Sequence, residues 1–176
     1  MSSIDPLRFP IGKFTPQESY SPQEISAFIN TIEATPTKIE EVFKKFSAAQ
    51  LETPYRPEGW TARQVIHHIS DSHMNAYIRF KWTLTENTPT IKAYNEKAWA
   101  ETYEIKQDPA LSITLLKALH AKWVTLLRSL TQGDLQKSFV HPETGKHFRL
   151  DTLIALYAWH GEHHLGHLRL ILDFRL

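Results

Sequence analysis

Ten of the 176 residues are histidine, and seven of those ten fall in two short windows. His67, His68 and His73 form the first; His160, His163, His164 and His167 form the second. Neutral imidazole is the commonest side-chain ligand of transition metals. His160 and His164 are four residues apart, as are His163 and His167. On a helix this spacing puts two rings on one face, one turn apart, where they can chelate a single ion. The chain has no cysteine, so disulfides are excluded and any metal takes nitrogen or oxygen ligands.

The apolar pattern indicates which rings face inward. Leu153, Tyr157, His160, His164, Leu168 and Ile171 form one stripe at helical spacing. His160 and His164 therefore share the apolar face, with His163 and His167 nearer its flank. In the first window Val65, His68, Ile69 and Ser72 share a face, with Asp71 and Asn75 beside it. His68 is the favoured inward ligand, and His67, about 100° round the helix, is the alternative. Three imidazoles from two facing helices match a catalytic metal shell with a position left for water or substrate. Asp71 is a candidate base or orienting partner for a ligand imidazole, against the plainer reading of a surface carboxylate. Asn75 and Arg79 continue the same line as candidate substrate contacts, and Arg79 suits an ion pair within the bundle equally well.

The elements that must carry these residues are legible from caps and periodicity. Ser21-Pro22-Gln23-Glu24 is a capping box with proline in the first turn. Ile25, Phe28, Ile29 and Ile32 follow at helical spacing, and Ile39, Val42, Phe43 and Phe46 keep the phase across Pro36. One long helix kinked at Pro36 is expected. Thr61 and Gln64 open a second helix that runs to about Thr85. Leu115, Leu116, Leu119, Trp123, Leu126, Leu127 and Leu130 mark a third, and Asp151 is expected to cap a fourth through Leu172. Short helical turns are expected within residues 47–53 and 95–102, and a hairpin turn between His141 and His147. The whole chain, 1–176, reads as a single all-α domain, a four-helix bundle with long connections and a possible short hairpin. Those connections are longer than a bundle needs, which suggests that they cover a site; Tyr94 and Trp99 are candidates to wall it.

Composition narrows the function classes. Hydrophobic residues make up 41% and charged residues 22%, as in an ordinary globular protein. The formal net charge of +1 argues against a nucleic-acid or anionic-membrane footprint. Residues 1–20 are polar and proline-punctuated, with no apolar run of signal-peptide length, and no membrane span is expected. The expected location is the cytoplasm.

Taken together, Gly59 through Asn75, Tyr77-Ile78-Arg79-Phe80, and Trp159-His160 with His163-His164 resemble the DinB-like superfamily, in particular its YfiT-like branch. Pro10-Ile11-Gly12-Lys13, Thr53-Pro54-Tyr55-Arg56 and His141-Pro142 are similar to the same branch. The resemblance implies a four-helix bundle that binds zinc or nickel through one histidine of the second helix and two on the last. Carried over, the ligands fall on the His67-His68 pair, with His68 the eighth residue after Trp60, and on His160 and His164. It also implies a homodimer that acts on a small-molecule substrate. The activity implied is a metal-dependent hydrolase or a thiol S-transferase using bacillithiol or a related low-molecular-weight thiol. A non-catalytic small-molecule-binding bundle is the rival outside enzymes.

Overall fold

In the computed structural model, which describes residues 5–173, helix α1 (Pro22–Phe43) opens through the expected capping box. The Ser21 hydroxyl accepts from the Glu24 amide, and the Glu24 carboxylate accepts from the Ser21 N–H. A cap of this kind contributes about 1 kcal/mol. After the short α2 (Ala48–Leu51), Thr61 and Gln64 repeat the device at the start of α3 (Ala62–Thr85). Then come α4 (Glu96–Trp99), a 3-10 turn at Tyr103–Lys106, and α5 (Ala110–Arg128). A short α6 (Gln132–Gln136), which the sequence reading did not anticipate, precedes the antiparallel hairpin β1 (Ser138–Val140) and β2 (His147–Arg149). Helix α7 (Leu150–Asp173) follows directly. Asp151 lies inside its first turn rather than at its cap, and its carboxylate pairs with Arg149 at 2.9 Å.

Helices α1 and α3 each pack against both α5 and α7. Each of these two pairs therefore lies across a diagonal of the bundle, so the chain must cross an end of it between α1 and α3 and again between α5 and α7. The connection from α3 to α5 joins neighbours, yet it is as long as a crossing. It is pinned to the hairpin edge, where the Ile91 amide donates to the Val140 carbonyl and the Val140 amide to Pro89. That attachment sets residues 93–97 beside the bundle.

Two apolar clusters fill the interior. One centres on Ile32, Phe80, Trp123, Leu153 and Ile154, the other on Ile39, Ile66, Ile69, Leu116 and Leu168. Between them the four long helices carry a polar layer: Thr35 on α1, His73 on α3, His120 on α5 and His160 on α7. Helix α1 runs unbroken through Pro36. Proline has no N–H to give, so the Ile32 carbonyl four residues earlier lacks its helical partner.

By length and mean hydropathy alone, α5 passes the test for a membrane span, which the sequence reading did not expect. Here it buries Ile113, Leu116, His120, Trp123 and Leu127 against α1 and α3. Its outer face leaves Leu111 and Leu115 exposed.

Candidate metal centre

His68 on α3 faces His160 and His164 on α7, with ring centroids 5.4 and 4.8 Å away. The two α7 rings are 4.5 Å apart. One ring nitrogen from each of the three lies within 4.8 Å of the others. Burial holds all three imidazoles neutral: His68 falls to about 4, and His160 and His164 sit well below the usual range, with repulsion from neighbouring rings adding to it. Three converging neutral nitrogen donors form a shell suited to a divalent ion. These residues fit the metal that the resemblance implies.

His67 turns the other way. Its Nδ1 meets the Ser112 hydroxyl at 2.7 Å, on the α5 side of α3. The structure also sets Asp71 and Asn75 apart from the three rings. Neither Asp71 nor Asn75 lines the two cavities beside the histidines. Asp71 faces the 3-10 turn, where burial and the nearby Glu104 raise its carboxyl to about 6, and Asn75 donates to the Asp71 backbone carbonyl. Asp71, three residues beyond His68, points past the cluster, whereas Ser72, four beyond it, points in, because α3 meets α7 along the His68–Ser72 line.

Ser72 takes the place expected of Asp71. Its hydroxyl is 3.4 Å from His160 Nε2 and 3.5 Å from the Tyr157 hydroxyl. Burial raises the Tyr157 phenol above its ordinary value, so it stays a proton-bearing donor. His163 and His167 are not on a solvated flank. The N-terminal segment lies over them: Trp159 donates to the Gly12 carbonyl at 3.2 Å and stacks on His163, while Tyr55 stacks on His167 at 3.8 Å. His163, His164 and His167 form a second grouping of mutually close ring nitrogens.

Two cavities, of about 620 and 630 Å³, meet at His160. The first is walled by Arg8, Tyr55, Arg56, Trp60 and His68, the second by Ser72, Arg79, Tyr94, His141 and Tyr157; Glu96 and Lys97 border both. Arg79 makes no ion pair among the described residues, and its Nε is buried without a partner. Tyr94 walls the second cavity as expected, whereas Trp99 packs on Tyr94 from outside, 4.7 Å away. The sequence reading missed His120, although its step from Leu116 and to Trp123 puts it on the buried face of α5.

Residues 31–168 match the model of the DinB superfamily. The chain belongs to that superfamily. The chain is 45% identical over 169 residues to YfiT of Bacillus subtilis (strain 168), a match that covers 96% of this chain and 94% of YfiT. A Bacillus cereus (strain 03BB102) protein is 48% identical over 165 residues, with 94% and 95% covered. Both relatives carry a provisional name as metal-dependent hydrolases. The solved structure of YfiT, described as having an unusual four-helix bundle topology, superposes on this DinB chain with a TM-score of 0.92. It is 44% identical and covers 94% of this chain and 95% of its own. The diagonal placement of α1 and α3 agrees with that description.

Proposed function

We propose that this protein is a metal-dependent hydrolase whose His68, His160 and His164 hold one divalent ion, zinc or alternatively nickel. The observation that carries this is the convergence of three neutral imidazoles from two helices at the mouth of a cavity, with no carboxylate or fourth ring in that group. An ion held by three protein ligands supplies a Lewis acid and an activated water at neutral pH. The chain itself would do the rest. Ser72 and Tyr157 stand beside His160 as hydroxyl donors toward a polarised oxygen, and Trp60, packed 4.5 Å from His68, braces that ring. Arg79, with no ion pair of its own, is available to an anionic group of the substrate in the second cavity.

A second reading is favoured by the two-lobed cavity. Two lobes that meet at His160 have room for two reactants, as a transfer between a low-molecular-weight thiol and a small electrophile requires. Thiolate is the nucleophilic form of such a cosubstrate, and a metal would hold it in that form. Zinc-loaded and nickel-loaded protein should be screened against ester and amide substrates, and in parallel against epoxides and alkyl halides with added thiols. Turnover in the first set supports the hydrolase, and turnover only with thiol supports the transferase. No metal-dependent turnover in either would sink both. The reaction would take place in the cytoplasm. The active form would be a homodimer, with the exposed Leu111 and Leu115 of α5 as an apolar strip suited to it. Sedimentation equilibrium that showed only monomer at micromolar concentration would remove it.

A further inference from the structure

The remaining buried histidines have a geometry of their own. Starting from the carbonyl of Ile32, the imidazoles of His120, His73 and His160 form a hydrogen-bonded row. His120 Nδ1 is 2.6 Å from the Ile32 oxygen, His73 Nδ1 is 2.8 Å from His120 Nε2, and His73 Nε2 is 3.1 Å from His160 Nδ1. On the other side, His167 Nε2 is 3.2 Å from the Arg8 carbonyl oxygen, and His167 Nδ1 is 3.3 Å from His164 Nδ1. Both rows end on a backbone carbonyl, and both lead to a proposed ligand on α7.

A carbonyl oxygen only accepts, and a neutral imidazole carries one N–H and one lone pair. His73, His120 and His167 are 0, 2 and 1% exposed, and a charge there without a carboxylate partner would be costly. The terminal carbonyls therefore set the direction of every bond. His120 donates from Nδ1 to Ile32 and accepts at Nε2 from His73 Nδ1. His73 then accepts at Nε2 from His160 Nδ1, which leaves the lone pair of His160 on Nε2, the atom beside Ser72. By the same steps His167 donates from Nε2 to Arg8 and accepts at Nδ1 from His164, which leaves the lone pair of His164 on Nε2.

We infer that His73, His120 and His167 are positioning residues, which lock His160 and His164 in the tautomer that presents Nε2 to one ion. The inference rests on the metal reading of His68, His160 and His164 and adds what prepares two of those ligands. It also gives Pro36 a purpose. A proline in a helix interior costs about 3 kcal/mol, and here its missing N–H releases the Ile32 carbonyl, which anchors the longer row. The rival grouping of His163, His164 and His167 would need the lone pair on His167 Nδ1 that the shorter row already uses.

Histidine-labelled, metal-free full chain tests the assignment directly, because long-range nitrogen–proton correlations separate the two tautomers. The expected pattern is Nδ1–H at His73, His120, His160 and His164, and Nε2–H at His167. An Nε2–H ring at His160 or His164 overturns the inference. His120→Phe and His167→Phe keep volume and remove one row each. Each is expected to weaken zinc binding about 10–100-fold in competition with a chromophoric chelator. His120→Phe should disturb the tautomer of His160 alone, and His167→Phe that of His164 alone. A residue with a merely structural role would lower stability in these variants without that selectivity, so unchanged tautomers and affinity in both also overturn the inference. If either variant fails to fold, the wild-type pattern decides. If the wild-type chain binds neither zinc nor nickel, the proposed function fails while the tautomer pattern still judges the two rows.

Discussion

Replacing His160 or His164 with alanine is expected to strip the protein of metal and of turnover, and His68→Ala should do the same. The zinc-binding free energy of small four-ligand sites, shared equally among ligands, is roughly 3 kcal/mol apiece. Losing one ligand then weakens binding on the order of 10²–10³-fold. The contrast is the informative part. His67→Ala should keep its metal, because that ring is engaged with Ser112 on the far side of α3. His163→Ala should keep it too, because His163 packs between Phe9 and Trp159, outside the three-ring group. Metal content after gel filtration, measured for alanine variants at positions 67, 68, 160, 163 and 164, checks all five. Metal retained by both α7 variants would refute the site. Metal lost from His67→Ala but kept by His68→Ala would put the wrong face of α3 at the centre.

The metal-free protein is expected to unfold abruptly as the pH falls from about 6.5 toward 4. Burial lowers the pKa of His68, His120, His163 and His167 to about 4, and holds His73, His160 and His164 well below the ordinary value. A folded-state pKa below the unfolded one means that the unfolded chain binds more protons in this window. The stability is then fully present above pH 6.5 and drains away below it. Even three or four net protons give a slope of roughly 4–5 kcal/mol per pH unit near pH 5. That slope is enough to cross the whole stability of an ordinary domain within a unit or two. Saturating zinc should move the midpoint to lower pH, since protons and metal compete for the same lone pairs. Circular dichroism at stepped pH, with and without zinc, reads both effects. A flat profile down to pH 4 would mean that these rings are not buried neutral.

Periodicity and capping foretold the four long helices because each records a local decision. Ser21 with Glu24, and Thr61 with Gln64, close their boxes within one turn, and the stripe of Leu153, Tyr157, His160 and His164 is a property of α7 alone. The choice of His68 over His67 as the inward ring was legible for the same reason. Helix phase on α3 decides it, and the structure turns the two rings to opposite sides. The placement of Asp71 and Asn75 relative to the cluster was less legible, because phase along one helix does not give the line along which a second helix touches it. That line passes through His68 and Ser72. The burial of His163 and His167 was hidden for a different reason. It depends on Phe9, Gly12 and Tyr55, which no local pattern ties to α7. His120 carried a local signal, but its partner Ile32 is 88 residues away, and only the folded bundle joins them.

The two interior glycines of α7 have a consequence for the order in which the molecule comes together. A side chain at Gly161 would meet the Thr35 hydroxyl at 2.9 Å, and one at Gly166 would meet the Pro10 ring at 2.8 Å. Each glycine gives up about 1 kcal/mol of helix propensity. The stretch between them, which holds His163 and His164, thus relies on being gripped from both sides. The grips come from residues 10 and 35, while the stretch itself is made last among the long helices. At ribosomal rates the N-terminal grip waits roughly 8–30 s for its partner to emerge. Within that interval His68, His73 and finally His120 emerge ahead of the α7 rings that complete the group. Metal capture by the finished triad therefore waits for α7, and until then the chain offers the ion only the looser grasp of its earlier histidines.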